Sequence, residues 1–163
     1  MLSVIAAIDD NNAIGFENRL LFHIPQDMRR FKRLTLNKTV IMGKKTYDSL
    51  RMKPLPQRRN IVLSRSKPQI DAVICKNLDE LKIALNTNEE AFVIGGESIY
   101  RLLLPYCAKA YITHIISTAA EFDAVFPTLP SNWVTVYKSR IFTSENGIRY
   151  RYITYRNQQP ETL

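Results

Sequence analysis

The sequence predicts an α/β domain, with a central and mostly parallel sheet of about eight strands, four flanking helices and an antiparallel hairpin at the C-terminal edge. Three observations carry that expectation. Short apolar runs alternate with helix-period segments as far as residue 107. After that point only strand-like segments follow. The last two of these are separated by Asn146-Gly147, a dipeptide suited to a tight hairpin turn.

Taken in order, "LSVIAAID" (2–9) is an apolar run suited to a strand buried on both faces, and "DDNNAIGFEN" (9–18) reads as a long loop. A helix is expected over 25–35, opening at Pro25, followed by strand "TVIMG" (39–43) and a short helix "KKTYDSL" (44–50). A Pro-punctuated turn leads to strands "IVLS" (61–64) and "DAVICK" (71–76), then to a helix over 77–86. For that helix Asn77 and Glu80 form a plausible capping pair. "AFVIGGESIYRLLLPYC" (91–107) repeats strand, Gly-Gly and helix. "KAYITHII" (109–116), "WVTVYKSRIF" (133–142) and "RYRYITYR" (149–156) complete the sheet. No linker or repeat interrupts the alternation, so residues 1–163 are expected to form one domain.

Composition narrows the function. Hydrophobic residues make up 45% and charged residues 23%, and no apolar run approaches the length of a membrane span. "MLSVIAAIDD" lacks a basic leader, and Cys75 and Cys107 form no C-x-x-C pair. Both features fit a reducing cytosol and packing roles for the two thiols. A net charge of +8 favours anionic partners: a phosphorylated cofactor, an acidic substrate or nucleic acid. The basic residues are nevertheless scattered. The longest cluster, "MRRFKR", lies on a helix whose other face is apolar.

That helix poses the main chemical question. Ile24, Met28, Phe31, Leu34 and Thr35 fall on one side, and Asp27 falls with them, while Gln26, Arg29, Arg30, Lys32 and Arg33 take the other side. Asp27 at the third helical position suits the helix dipole. Alternatively, a carboxylate in an apolar wall awaits a ligand that presents paired N–H donors, such as a 2-amino-pyrimidinone ring.

Two strand-to-helix junctions carry glycine, Gly43 before Lys44-Lys45-Thr46 and Gly95-Gly96 before Glu97. Such junctions either simply turn the chain or admit a nucleotide phosphate beside free backbone N–H groups. No G-x-G-x-x-G, intact P-loop or G-x-S-x-G motif is present. His23 and His114 have no metal-ligand spacing, so no metal site is expected.

The ordered set "IAAI" (5–8), "IGFEN" (14–18), "IPQDMRRFK" (24–32), "VIMGKKTYDSL" (40–50), "LPQRRNIVLS" (55–64), "VIGGESIY" (93–100), "YITHI" (111–115) and "FP" (126–127) resembles the dihydrofolate reductase family over nearly the whole chain. The resemblance implies NADPH-dependent hydride transfer to 7,8-dihydrofolate, giving tetrahydrofolate for one-carbon and thymidylate metabolism. The implied protein is a cytoplasmic monomer, a target of antifolates, with no nucleic-acid or membrane partner. Asp27 matches the acid that grips the pterin and Thr113 its support, with Leu20, Phe22 and Tyr100 also placed at the catalytic centre. Ile5, Ala6, Met28, Phe31, Leu50, Leu55 and Ile94 match the substrate walls, and Arg58, with Lys32 and Lys53 nearby, matches the partner of the tail carboxylate.

For the cofactor, Lys44, Lys45 and Thr46 after Gly43 match the phosphate site, and Leu63, Ser64, Arg65 and Lys76 the surroundings of the 2′-phosphate. Ala7, Ile14, Gly15, Asn18 and Leu20 complete that side, as do Ile94, Gly95, Gly96, Glu97, Ser98, Ile99 and Tyr100. In the family this last turn contains a cis Gly-Gly bond. Three residues depart from the pattern: Phe22 stands for a usual Trp, Phe122 for a small residue, and Glu97 for a glycine or small residue near the pyrophosphate. Reduction of a related pterin or a ribosylamino-pyrimidine is a second enzymatic reading, and a basic nucleic-acid-binding domain a third.

Overall fold

The computed structural model describes residues 1–85 and 88–163. Eight strands form one row in the order β10-β12-β8-β1-β7-β4-β5-β6. They are β1 (Leu2–Ile8), β4 (Thr39–Gly43), β5 (Arg59–Leu63), β6 (Val73–Cys75), β7 (Ala91–Gly95), β8 (Cys107–Ile115), β10 (Trp133–Lys138) and β12 (Arg149–Asn157). From β8 to β6 all pairings are parallel. Strand β12 runs antiparallel to β8, and β10 antiparallel to β12. Four helices occur among the described residues: α1 (Pro25–Thr35), α2 (Lys44–Ser49), α3 (Leu78–Ala84) and α4 (Glu97–Leu103). None is long and apolar enough to cross a membrane.

Alternation along the central strands feeds two cores. Ile5, Val40, Met42, Val62 and Phe92 face the side covered by Phe31 and Leu34 of α1 and Tyr47 of α2. Val4, Ile41, Ile61 and Val93 face the other side, against Leu81 of α3 and Ile99 and Leu103 of α4. Both faces are dry, which is why these strands read as unbroken apolar runs. The thiol of buried Cys107 donates to the Leu103 carbonyl, and burial pushes it up to about 12, so its role is packing.

Two boundaries and one half of a capping pair differ from the sequence reading. Segment 9–18 is not simply a loop, because β2 (Ala13–Phe16) pairs with β3 (Arg19–Leu20) and with β9 (Ala124–Val125) in a separate sheet. Strand "WVTVYKSRIF" is broken: β10 ends at Lys138, and β11 (Phe142–Thr143) forms its own short pair with β12 across Asn146-Gly147. Asn77 does cap α3 by accepting from Glu80 N, but the Glu80 carboxylate reaches back to Lys76 N instead of completing a reciprocal box with Asn77. The end expected for that helix at 86 lies outside the described residues.

Candidate active site

Pro25 occupies the first turn of α1, which places Asp27 at the third helical position, above the carboxyl half of β1 and beside β8. Strand β8 buries Thr113, whose hydroxyl donates to Asp27 Oδ1 at 2.5 Å. Burial pushes the Asp27 carboxyl above its ordinary value, while the Thr113 hydroxyl and the Arg30 guanidinium pull it part of the way back. The adjoining cavity is small, about 20 Å³, of the order of one water. It is walled by Ala7 and Ile115 of the sheet, Ile24, Met28 of α1, and Ala13, Ile14, Leu20, Leu21 and Phe22 of the segment between β1 and α1. Asp27 is the single ionisable group in that lining. An isolated acid in such a wall is a ligand handle more than a stabilising feature.

Arg30 was expected on the solvated side of α1. Instead its guanidinium lies 4.1 Å from the centre of the Tyr152 ring, half-buried between α1 and β12. The cause is long-range pairing: Tyr152 is the cross-strand partner of Thr113, so folding β12 against β8 brings an aromatic face under Arg30. The Tyr152 phenol is pushed up to about 12, chiefly by burial and also by the Asp27 charge.

Further along α1, Phe31 packs against the same core cluster as Leu50, Leu55 and Ile94. Arg58 donates to the Pro56 carbonyl at 2.9 Å and to Thr35 Oγ1 at 3.2 Å, and its Cζ lies 6.0 Å from the Phe31 ring. The protein thus engages two of its five donors. Lys32 is exposed on the same helix, whereas the Lys53 ammonium is held by the Asp48 carbonyl at 2.6 Å.

On the other side of β1, β4 leads into α2 at Gly43 and β7 into α4 at Gly95-Gly96, a cis peptide bond. The two junctions converge: a Cβ on Gly96 would lie 3.5 Å from Thr46 Oγ1, and one on Gly43 would press Ile99 at 3.1 Å. Gly95 has φ +118°, and a Cβ there would meet the Tyr100 ring at 3.2 Å, so neither its backbone nor its surroundings accept a side chain. Tyr100 is buried and its hydroxyl donates to the Ile5 carbonyl at 2.8 Å. Its phenol, raised by burial, is therefore tied to the backbone of β1.

Thr46, exposed Lys45, Arg65 and Lys76, and half-buried Ser64 beside Leu63 supply hydroxyl and cationic donors at this edge. Ser98 at the start of α4 is also exposed. Such donors beside a backbone kept bare of side chains fit a dinucleotide phosphate. Lys44 differs from the expectation in that its ammonium already contacts both oxygens of Asp48 at 2.6 Å.

The segment over the cavity forms a flap. Asp9, buried at its base, accepts from Asn11 N, Ala13 N and Ala119 N. Farther out, Gly15 accepts from Asp123 N, and the Asp123 carboxylate accepts from Glu17 N at 3.0 Å, next to Asn18 with its φ of 60°. Glu97 points away from the Gly-Gly turn to this flap: its Oε2 accepts from Val125 N at 2.9 Å and its Oε1 from both Nε and Nη2 of Arg101. Those bonds hold the Glu97 carboxyl below its ordinary value.

The sequence profile of the family described as dihydrofolate reductase matches residues 1–157. The chain belongs to the dihydrofolate reductase family. As a member it is an NADPH-dependent oxidoreductase of dihydrofolate. Curated relatives include the dihydrofolate reductase of Neisseria gonorrhoeae, 37% identical over 158 residues, covering 94% of this chain and 96% of the relative. The type 3 enzyme of Salmonella typhimurium is 42% identical over 143 residues, 85% of this chain and 86% of that protein. Among solved structures, dihydrofolate reductase from Enterococcus faecalis complexed with NADP(H) and RAB-propyl superposes with a TM-score of 0.88. It is 30% identical, over 96% of this chain and 95% of that one. Against the family pattern, Phe22 keeps an apolar ring in the cavity wall, and Phe122 stands 40% exposed beside Asp123 without preventing the flap's pairing.

Sequence reasoning missed Arg30, Asp9 and Tyr152. For Arg30 and Tyr152 the signal lay in a contact between residues more than a hundred positions apart. For Asp9 a clue was available, since an Asp-Asp-Asn-Asn run at a strand end favours side-chain bonds to nearby N–H groups.

Proposed function

We propose that the cavity around Asp27 is where this chain reduces 7,8-dihydrofolate, with the residues of the slot, junctions and flap in the roles that follow. The observation that carries the assignment is the Thr113-supported carboxylate of Asp27, raised by burial in an otherwise apolar wall. Asp27 accepts the paired ring N–H and 2-amino donors of the pterin, a charge-assisted pair that offsets the cost of its burial. Ile5, Ala6, Met28, Phe31, Leu50, Leu55 and Ile94 flank the rings. Arg58, with Lys32 at the rim, meets the tail carboxylate, which favours a folate over a tail-less pterin.

NADPH supplies the hydride when bound. Gly43, Lys45, Thr46, Gly95, Gly96 and Ser98 hold its phosphates, and Ser64, Arg65 and Lys76 its 2′-phosphate. Tyr100 fixes the Ile5 carbonyl, and with it the strand β1 beside the slot. The flap excludes bulk water, and a single water entering beneath it carries a proton to the pterin N5. The ionised Asp27, across the ring, favours that protonation electrostatically.

Residues 1–163 act as one catalytic unit, monomeric and cytoplasmic, supporting one-carbon and thymidylate metabolism. The net charge of +8 serves the phosphates and the carboxylate tail, with no call for nucleic acid. Mixing purified protein, NADPH and dihydrofolate should bleach the reduced nicotinamide absorbance. A protein that binds DNA in a steeply salt-dependent way and leaves NADPH unoxidised would overturn the assignment.

A further inference from the structure

Glu97 has a task that the catalytic reading does not use. It stands at the first position of α4, directly after Gly95-Gly96, where a carboxylate beside bound phosphates would repel them. Its two oxygens are committed elsewhere. Arg101, one helical turn on, holds Oε1 with two donors at 3.0 and 2.8 Å, which aims Oε2 at the backbone of β9, where Val125 N donates at 2.9 Å. Strand β9 belongs to the flap. Its residues Val125 and Ala124 pair with Ala13 and Gly15 of β2, and the adjoining Phe126 N donates to the Asn12 carbonyl at 2.7 Å.

We propose that Glu97 is a positioning residue that latches the flap to the first turn of α4, so that the junction holding the cofactor and the cover over the substrate move as one body. The inference rests on the functional reading above for its catalytic consequence, but the latch itself stands on the hydrogen bonds. A charge-assisted bond from a backbone N–H is among the stronger single contacts available to a short surface strand, and β9 has only two residues. The neighbouring Asp123 grips the flap from within the same loop and does not reach α4. Glu97 supplies a polar side-chain link between the two, beside the apolar contact of the Tyr100 and Phe126 rings, whose centroids lie 4.9 Å apart. The Arg101 fork neutralises the acid and keeps it turned from the phosphate site.

The test compares the wild type with Glu97→Ala, Glu97→Gln and Arg101→Met, first by amide hydrogen exchange with and without NADPH. Glu97→Ala should speed exchange over residues 13–16 and 124–125 about tenfold, with β1 unchanged. Its single-turnover rate of NADPH oxidation by dihydrofolate should fall about threefold or more, at saturating substrate. Glu97→Gln, whose amide oxygen still accepts from Val125 N, should recover most of both, and Arg101→Met should fall between. A lowered melting temperature in Glu97→Ala with flap exchange unchanged overturns the latch, as does a Gln variant as impaired as the Ala variant. A wild type that fails to oxidise NADPH with dihydrofolate overturns the catalytic assignment instead, and the exchange data still decide the latch.

Discussion

Asp27 stands on an eleven-residue helix against a nine-residue strand, whereas the flap above it is built from strands of four, two and two residues. The slot is rigid because regular elements with dry faces set its geometry. The flap fully buries few apolar side chains, Ala13 and Phe126 among them, leaves Leu20 66% exposed, and is held by the β2–β9 pairing, by three bonds to Asp9 and by the contacts of Asp123 and Glu97. A preformed acid and a cover of marginal stability are what a site needs if it must hold a ring in one pose yet admit and release it. Damage to the slot should therefore strike chemistry, and damage to the flap should strike gating.

The largest separation is expected from Asp27→Asn. Turnover of dihydrofolate at neutral pH should drop on the order of a hundredfold or more, while NADPH affinity changes by less than about threefold. Equal losses in the two would erase the division between acid slot and cofactor junction. Next comes Thr113→Val, which keeps the shape and removes the hydroxyl donor. The expected loss in kcat/KM is about tenfold. The Thr113 bond lowers the Asp27 pKa, so without it the limb of the pH–rate profile that reports Asp27 should move to higher pH. Asp123→Ala, which cuts the exposed bond to Glu17 N, should cost about threefold in kcat and leave that limb in place.

The smallest effect is on stability, and its sign is opposite. Asp27 carries a raised pKa, so the folded chain binds its proton more tightly than the unfolded chain does. Its contribution to stability falls as pH rises from the ordinary value of 3.8 through the raised one. Asp27→Asn removes that cost. The ligand-free variant should melt above the wild type at neutral pH, and the gap should narrow as pH falls toward 4. A wild type more stable than the variant at pH 7 would mean that the slot is not strained.

What the sequence made legible divides along the same line. Helix α1 and the aim of Asp27 follow from local periodicity, and the row of parallel strands from apolar runs and glycine junctions. The pairing of β2 with β9 was invisible, because strands of four and two residues are too short to show a period and Asn and Asp favour loops locally. The direction of Glu97 was equally hidden: an acid at a helix start suits the dipole anywhere, and only the arrival of Val125 tells it which way to turn. Arg30 failed for a related reason, since a helical wheel assigns it to water until β12 supplies Tyr152.

That half-buried guanidinium also governs how readily the acid stays charged. Arg30, one helical turn away, favours the ionised form of Asp27 and so works against the burial that raises its pKa. An uncharged residue in its place should leave the acid protonated over a wider range of pH, narrowing from the acid side the window in which an incoming ring meets a free acceptor.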